Sequence, residues 1–94
     1  MVTVVVSHKV ADFKRWLPFF EKHAEKRVPA GCTKADVYRT LEDPNNVTVL
    51  FNWKDAESFK RFGQSDDLRE TMMAAGVLGQ PTITILNAAS TYSG

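Results

Sequence analysis

The segment from Tyr38 to Phe62 constrains the fold of this chain more than any other. It reads YRTLEDPNNVTVLFNWKDAESFKRF. Residues 33–41 alternate in the manner of a β-strand, and residues 42–46 are residue types that favour turns. Residues 47–53 alternate again, and an amphipathic helical pattern begins at Asp55. The segment therefore predicts two antiparallel strands joined by a turn, with a helix directly after Trp53.

The N-terminal third predicts one more strand and one more helix. Residues 2–9 are largely β-branched and alternate, which is typical of a strand. Asp12 is the expected helix cap, and the apolar stripe that follows it ends before residues 29–31, which read Pro-Ala-Gly. Pro18 falls inside this stripe, so we expect the helix to start late or to kink there.

The C-terminal third predicts a broken helix and a last strand. Gly63 interrupts the helix that follows Asp55, and Ser65 is a fresh N-cap. Gly76 ends the helical run, and residues 82–86 after Pro81 read as the fourth strand.

The predicted order is β-α-β-β-α-β, an α+β arrangement of the ferredoxin-like type. Its four-stranded sheet is antiparallel with the order 4-1-3-2, and both helices lie on one face. We expect one domain over residues 1–88 and a frayed C-terminal tail over residues 89–94.

The sheet face without helices is expected to meet a second copy of the chain. The alternation places apolar and threonine side chains there, where a solvated face would carry charges. The residues predicted at this homodimer interface are Val5, Tyr38, Thr48, Leu50, Thr84 and Leu86. The alternative is a monomer with a moderately apolar surface.

Composition argues against several classes of partner. The net charge is +1 with both signs interspersed, so we expect no nucleic-acid binding. No stretch approaches the roughly 20 apolar residues of a membrane span, so we expect no membrane association. The single cysteine, Cys32, excludes an internal disulfide and fits a reducing cytosol, so the expected location is cytoplasmic.

Candidate site residues fall at two ends of the predicted helix–sheet interface. His8 and Arg39 point toward the helices at one end, where Trp16 and either Met72 or Met73 would roof them. His8 is a candidate general base and Arg39 a candidate partner for a ligand oxygen. The alternatives are a hydrogen-bonded core histidine and an arginine that extends into solvent.

The other end collects aromatic residues around a second candidate base, His23, and Arg27 lies at the same end of the first helix. The aromatic residues that could line a small-molecule pocket with Trp16 are Phe20, Phe51, Trp53 and Phe59. The alternatives are a simple aromatic core and a half-exposed helical histidine. Because the two histidines lie at opposite ends of the first helix, the sequence predicts no metal site. It favours no cofactor either, although haem ligation through one histidine stays open.

Three segments of the chain resemble the dimeric α+β barrel superfamily. They are SHKVADFKRW at 7–16, the run at 38–62 and SDDLRETMMAAGVLGQP at 65–81. The resemblance is to small proteins of the antibiotic-biosynthesis-monooxygenase-like and putative-cyclase kinds. It implies a homodimer whose sheets form a barrel, with one pocket per subunit between sheet and helices.

The resemblance also implies candidate activities. Some members oxidise polycyclic phenols with molecular oxygen and no cofactor, while others degrade haem or close polyketide rings. In the cofactor-free oxygenases a tryptophan at the end of the third strand belongs to the pocket, and Trp53 matches it. Many of these members carry a histidine in the next helix, where this chain has Phe59 and Phe62.

The leading functional hypothesis is a cofactor-independent monooxygenase or cyclase-like enzyme for an aromatic or polyketide-like substrate. His8 or His23 would remove a proton, the tryptophans would stack the substrate, and Arg39 would stabilise the oxyanion. The alternative is a non-catalytic or stress-associated dimer that binds a small ligand, and a third possibility is a structural module without a pocket.

Overall fold

Four antiparallel strands and four short helices make up the protein. The computed structural model describes residues 1–94. The elements in chain order are β1 (Val2–Val10), α1 (Phe13–Lys22), α2 (Ala24–Ala30), β2 (Cys32–Arg39), β3 (Asn46–Trp53), α3 (Ala56–Gly63), α4 (Asp66–Ala74) and β4 (Val77–Leu86). The sheet order is β2-β3-β1-β4. This confirms the predicted α+β ferredoxin-like fold and its strand order.

The two central strands build the core. Val4 of β1 is paired with Phe51 of β3, and half-buried and buried residues alternate along the whole of β3. The buried set of this strand is Val47, Val49, Phe51 and Trp53. Because alternate residues of a strand face opposite sides of a sheet, this set faces the helices and the intervening residues face away.

Side-chain caps start three of the helices at the predicted positions. Oδ1 of Asp12 accepts a hydrogen bond from the backbone N–H of Lys14 at 3.0 Å. Asp55 caps α3 through Ser58, and Ser65 caps α4 through Leu68. Each cap satisfies a backbone donor that has no partner inside its helix.

The late start predicted at Pro18 is wrong, and the kink predicted there as the other outcome stays a prediction. The helix starts at Phe13 and continues through Pro18, and the break falls at His23 between α1 and α2. Trp16 of α1 is buried, so packing of the apolar stripe on the sheet offsets the hydrogen bond that proline cannot make. The second helix then ends at Gly31, whose φ is 127°.

The last strand is longer than predicted. It begins at Val77, which pairs with Val10, and its pairing with β1 shifts between Ser7 and Lys9. Gly79 lies within this irregularity with a φ of 72°. The bulge lets the strand continue through Pro81, which sequence reasoning treated as its boundary.

One face of the sheet carries no helix. Its side chains include the exposed Tyr38 and Leu86 and the half-buried Val5 and Leu50. The dimeric barrel that would cover them stays a prediction, as does the domain limit at residue 88. Residues 87–94 form no helix or strand and are exposed. No helix has the length and apolar character that a membrane span requires.

Candidate functional site

A cavity of about 230 Å³ lies between the helices and the sheet. Its walls come from β1, β3 and β4 below and from all four helices above. Most of the lining is hydrophobic. Since ligand sites are concave and mainly apolar with a few polar groups, this cavity is the candidate functional site.

A continuous aromatic wall runs along the cavity. Trp16 stacks on Phe20 with ring centroids 4.9 Å apart, and Phe20 lies 6.0 Å from Phe51. Phe51 and Trp53 follow at 6.5 Å, and Trp53 meets Phe59 edge-to-face at 5.5 Å. All five side chains line the cavity, which brings the predicted aromatic set together. Offset and edge-to-face pairs are the preferred geometries of such rings, so the wall is well packed.

His8 lies at one end of this wall. It is 9% exposed, and its ring meets Trp16 edge-on at a centroid distance of 5.6 Å. Its Nδ1 atom is buried without a hydrogen-bond partner. Burial lowers the pKa of His8, because the charged imidazolium is poorly solvated there. The side chain is therefore a neutral imidazole at pH 7, and the residue lines the cavity.

Trp53 carries the second unpartnered polar atom. The residue is fully buried, and its indole Nε1 has no acceptor. An unmade hydrogen bond of this kind costs about 1–3 kcal/mol. An indole nitrogen can only donate, so the atom that would satisfy it is an oxygen or nitrogen acceptor.

His23 lines the same cavity and is held by a carboxylate. Its Nε2 atom lies 2.8 Å from Oδ2 of Asp67, and the imidazole is 8% exposed. The residue lies at the break between α1 and α2, and Asp67 lies in the first turn of α4. This placement differs from the half-exposed alternative weighed for the sequence. Both histidines therefore line the same cavity, although they lie at opposite ends of α1.

Arg27 lines the cavity at the end where the sequence places it with His23 and Phe20, although the sequence assigns no role to it. It is 6% exposed, and its guanidinium carbon lies 4.0 Å from the Phe20 ring centroid and 5.9 Å from that of Phe51. Its Nη1 donates to the carbonyl oxygen of Phe20 at 3.0 Å. Burial lowers the pKa of Arg27, and the neighbouring Cys32 acts in the opposite direction. Desolvated cation–π contacts contribute about 2 kcal/mol or more, which helps to hold this charge inside.

Arg39 lies outside the cavity. It shares Val47 with His8 as a cross-strand neighbour, so both residues are on the helix face of the sheet, as predicted. The guanidinium, however, covers the Phe13 ring at 4.0 Å, and Nε donates to the carbonyl oxygen of Pro44 at 2.9 Å. The residue is exposed, which matches the alternative of an arginine that extends into solvent.

The two methionines separate. Met72 lines the cavity, whereas Met73 is 75% exposed on the outer side of α4. Residues of β4 also line it and were not selected, namely Gln80, Pro81 and Ile83. The strand was predicted to begin at residue 82, which leaves Gln80 and Pro81 outside the sheet. A prediction that started β4 at Val77 would have included them. No cluster of histidine, cysteine and carboxylate side chains suited to a metal ion is present.

Comparisons with known proteins point to one family. The sequence model of antibiotic biosynthesis monooxygenase matches residues 1–74. No curated protein sequence matches the chain. Three of the solved structures that resemble it illustrate the likeness.

SnoaB, a cofactor-independent oxygenase from Streptomyces nogalater, superposes with a TM-score of 0.78 at 18% identity over 99% of this chain and 97% of its own. A conserved protein from Methanosarcina mazei Go1 gives 0.73 at 24% identity over 94% and 92%. A further structure, described as an antibiotic biosynthesis monooxygenase, gives 0.73 at 16% identity over 96% and 100%. At these identities the structural likeness establishes the fold.

Proposed function

The chain belongs to the antibiotic biosynthesis monooxygenase family, and from this premise we propose that it is a cofactor-independent monooxygenase for a small phenolic aromatic compound. The observation that carries the proposal is the neutral imidazole of His8, which lines the cavity at one end of the aromatic wall. A neutral imidazole is the form that accepts a proton from a phenolic hydroxyl. The description of SnoaB as cofactor-independent supports the same chemistry.

The size of the cavity limits the substrate. A cavity of roughly 150 Å³ holds one benzene ring, and this one measures about 230 Å³. The proposed substrate therefore presents one or two fused rings to the wall, and any larger part extends beyond it. Haem, with its four pyrrole rings, does not fit a space of this size, so the haem alternative is not carried forward.

The proposed reaction can be written for 1-naphthol. His8 takes the hydroxyl proton, and the naphtholate donates electrons through its C4 position to molecular oxygen, which forms a C4–O bond. The resulting peroxide takes a proton from the His8 imidazolium. Loss of the C4 hydrogen as a proton and cleavage of the O–O bond then release water and leave a carbonyl at C4. One naphthol and one O₂ thus give one 1,4-naphthoquinone and one water.

The other cavity residues are assigned supporting roles in the proposal. Trp16 and Phe20 would stack the rings, and Trp53 would add to the aromatic wall. His23, with Nε2 already engaged by Asp67, is the second candidate base. Arg39 receives no role in the reaction, because it lies on Phe13 outside the cavity.

Oxygen consumption with naphthols and anthrones tests the proposal. We expect His8→Phe, which keeps an aromatic ring at this position, to lower kcat by about 10²–10⁴-fold, since this is the usual contribution of a general base. His23→Phe is the matched control and should lower it less. Equal rates in wild type and the His8 variant would refute the proposed base. Tight binding without oxygen consumption would favour the ligand-binding alternative.

We also propose that the protein acts in the cytosol as a homodimer through its helix-free sheet face. The exposure of Tyr38 and Leu86 beside half-buried Val5 and Leu50 supports this assembly. Small domains bury a limited share of their own surface, and an apolar sheet face is a suitable contact for a second sheet.

A further inference from the structure

Arg27 is a buried positive charge without a negative partner. None of the ion pairs of the chain includes it. The only ionisable group that acts on it is Cys32, and burial raises the pKa of that thiol, so Cys32 is neutral at pH 7. Buried charges are ordinarily paired, because removing an ion from water is costly. The charge of Arg27 is therefore left for a group that the chain does not supply.

The guanidinium also keeps donors for such a group. Arginine carries five N–H donors, and one nitrogen of Arg27 is engaged by the Phe20 carbonyl. Apart from this bond and a hydrogen bond with the Cys32 thiol, the guanidinium donors have no partner in the protein. Because Arg27 lines the cavity, these donors are reachable from inside it. A planar guanidinium fork matches a carboxylate in a bidentate geometry.

We propose that the cavity binds an aromatic carboxylic acid, with the carboxylate held by Arg27. The inference deepens the proposed function, and rests on it only in taking this cavity as the substrate site. It narrows the substrate class from phenols in general to hydroxylated arene carboxylates. The centroid of the Phe20 ring lies 4.0 Å from the guanidinium carbon, and this ring would stack on the aromatic part of the ligand.

The positions of Arg27 and His8 set the shape of this ligand. Arg27 lies 5.9 Å from the ring of Phe51, and Phe51 is the cross-strand partner of Val4. His8 lies four residues beyond Val4 along β1, so the Cα atoms of Val4 and His8 are about 13 Å apart. The two polar side chains thus address the cavity from opposite ends. The ligand that suits them carries its hydroxyl and its carboxylate at opposite ends of a fused ring system.

A purely structural role for Arg27 makes a different prediction. The bond to the Phe20 carbonyl and the contact with the Phe20 ring also fasten α2 to α1 across the break at His23. If this were the only role, removing the charge would weaken the binding of every aromatic ligand alike. A carboxylate site would lose affinity for acids alone.

The test compares three probes that share one ring system: 6-hydroxy-2-naphthoate, its methyl ester and 2-naphthol. Binding is measured by titration calorimetry and by quenching of tryptophan fluorescence. We expect the wild-type protein to bind the acid about 10–100-fold more tightly than the ester, which is the usual gain of a charge-assisted pair. Arg27→Met should remove this preference and change the affinity for 2-naphthol by less than about threefold. Arg27→Lys should retain part of the preference.

Two results would overturn the inference. One is equal wild-type affinity for the acid and the ester, which needs no variant and so decides the matter even if Arg27→Met fails to fold. The other is an equal loss of affinity for all three probes in Arg27→Met. Oxygen consumption is recorded separately. An acid preference without turnover would contradict the proposed function and leave the carboxylate site in place.

Discussion

The imidazole Nε2 of His23 lies 2.8 Å from Oδ2 of Asp67, and this contact ties the break between α1 and α2 to the first turn of α4. We expect Asp67→Ala to lower the free energy of unfolding by about 1–2 kcal/mol, because it leaves a polar atom of the buried His23 without its partner. In a domain of this size, each kcal/mol of lost stability lowers Tm by roughly 4–8 °C. Thermal unfolding measures the change.

Asp66→Ala is the matched control for this prediction. Asp66 lies in the same first turn of α4, so both variants remove one negative charge from the helix N-terminus. Its side chain pairs with Arg69 on the exposed surface, where such a pair contributes about 0–1 kcal/mol. If both variants unfold at the same temperature, the His23–Asp67 contact does not stabilise the roof of the cavity.

The stability of the protein should fall as the pH drops below about 6.5. Burial lowers the pKa of His8 in the folded protein from its usual 6.5. Below that pH the unfolded chain binds a proton at His8. The folded chain binds this proton only at a lower pH, because the pKa of His8 is lower in the folded state. Because the unfolded state then holds more protons, stability decreases across this window. Urea unfolding at about pH 7.5 and about pH 5.5 measures the decrease.

His8→Asn isolates this contribution, because asparagine does not titrate. The variant should lose less stability than the wild type between the two pH values, because every other titratable group is the same in both proteins. If the free energy of unfolding changes with pH by the same amount in both proteins, the lowered pKa of His8 in the folded state is refuted.

Gly31 and Gly63 should respond oppositely to alanine. Gly31 has a φ of 127°, and a Cβ there would come within 3.0 Å of Lys54 Cγ, so Gly31→Ala should cost about 1–3 kcal/mol. Gly63 ends α3 with nothing within 4 Å of the new carbon, so Gly63→Ala should gain roughly 0.5–1 kcal/mol. Chemical denaturation of both variants checks the signs. A stable Gly31→Ala protein would contradict the backbone constraint at the end of α2.

A lysine on the helix-free face should separate the proposed dimer. Leu50→Lys would place a charge in a contact between apolar sheet faces, so light scattering should show a fall from twice 10.6 kDa to 10.6 kDa. Val28→Lys is the control, because Val28 is 61% exposed on α2, on the other side of the sheet. A wild-type mass near 10.6 kDa at every concentration would refute the dimer.

Local sequence signals predicted the frame of the molecule well. The alternation along β3 assigns Val49, Phe51 and Trp53 to the helix face, where the structure has them buried. The caps at Asp12 and Ser65 are likewise formed as predicted. These features depend on residues that are close in sequence, so one amino-acid sequence is enough to predict them.

The parts that were missed depend on tertiary contacts. The break falls at His23, where the side chain binds Asp67 from another helix, and the local signal at Pro18 does not reveal it. The sequence places Arg27 near His23 and Phe20, but only the approach of Phe20 and Phe51 reveals that its charge is buried. Periodicity could assign faces, but it could not foresee that one cavity would reach from His8 to His23.

The helical layer is divided into four segments of 7–10 residues. Isolated helices of this length are marginal in water, so each segment persists only while it is packed on the sheet. Amide hydrogens of α1 to α4 should therefore exchange with solvent deuterium by separate openings, at lower free energies than those of β1 and β3. The opening of one helix can therefore widen the cavity while the sheet remains intact.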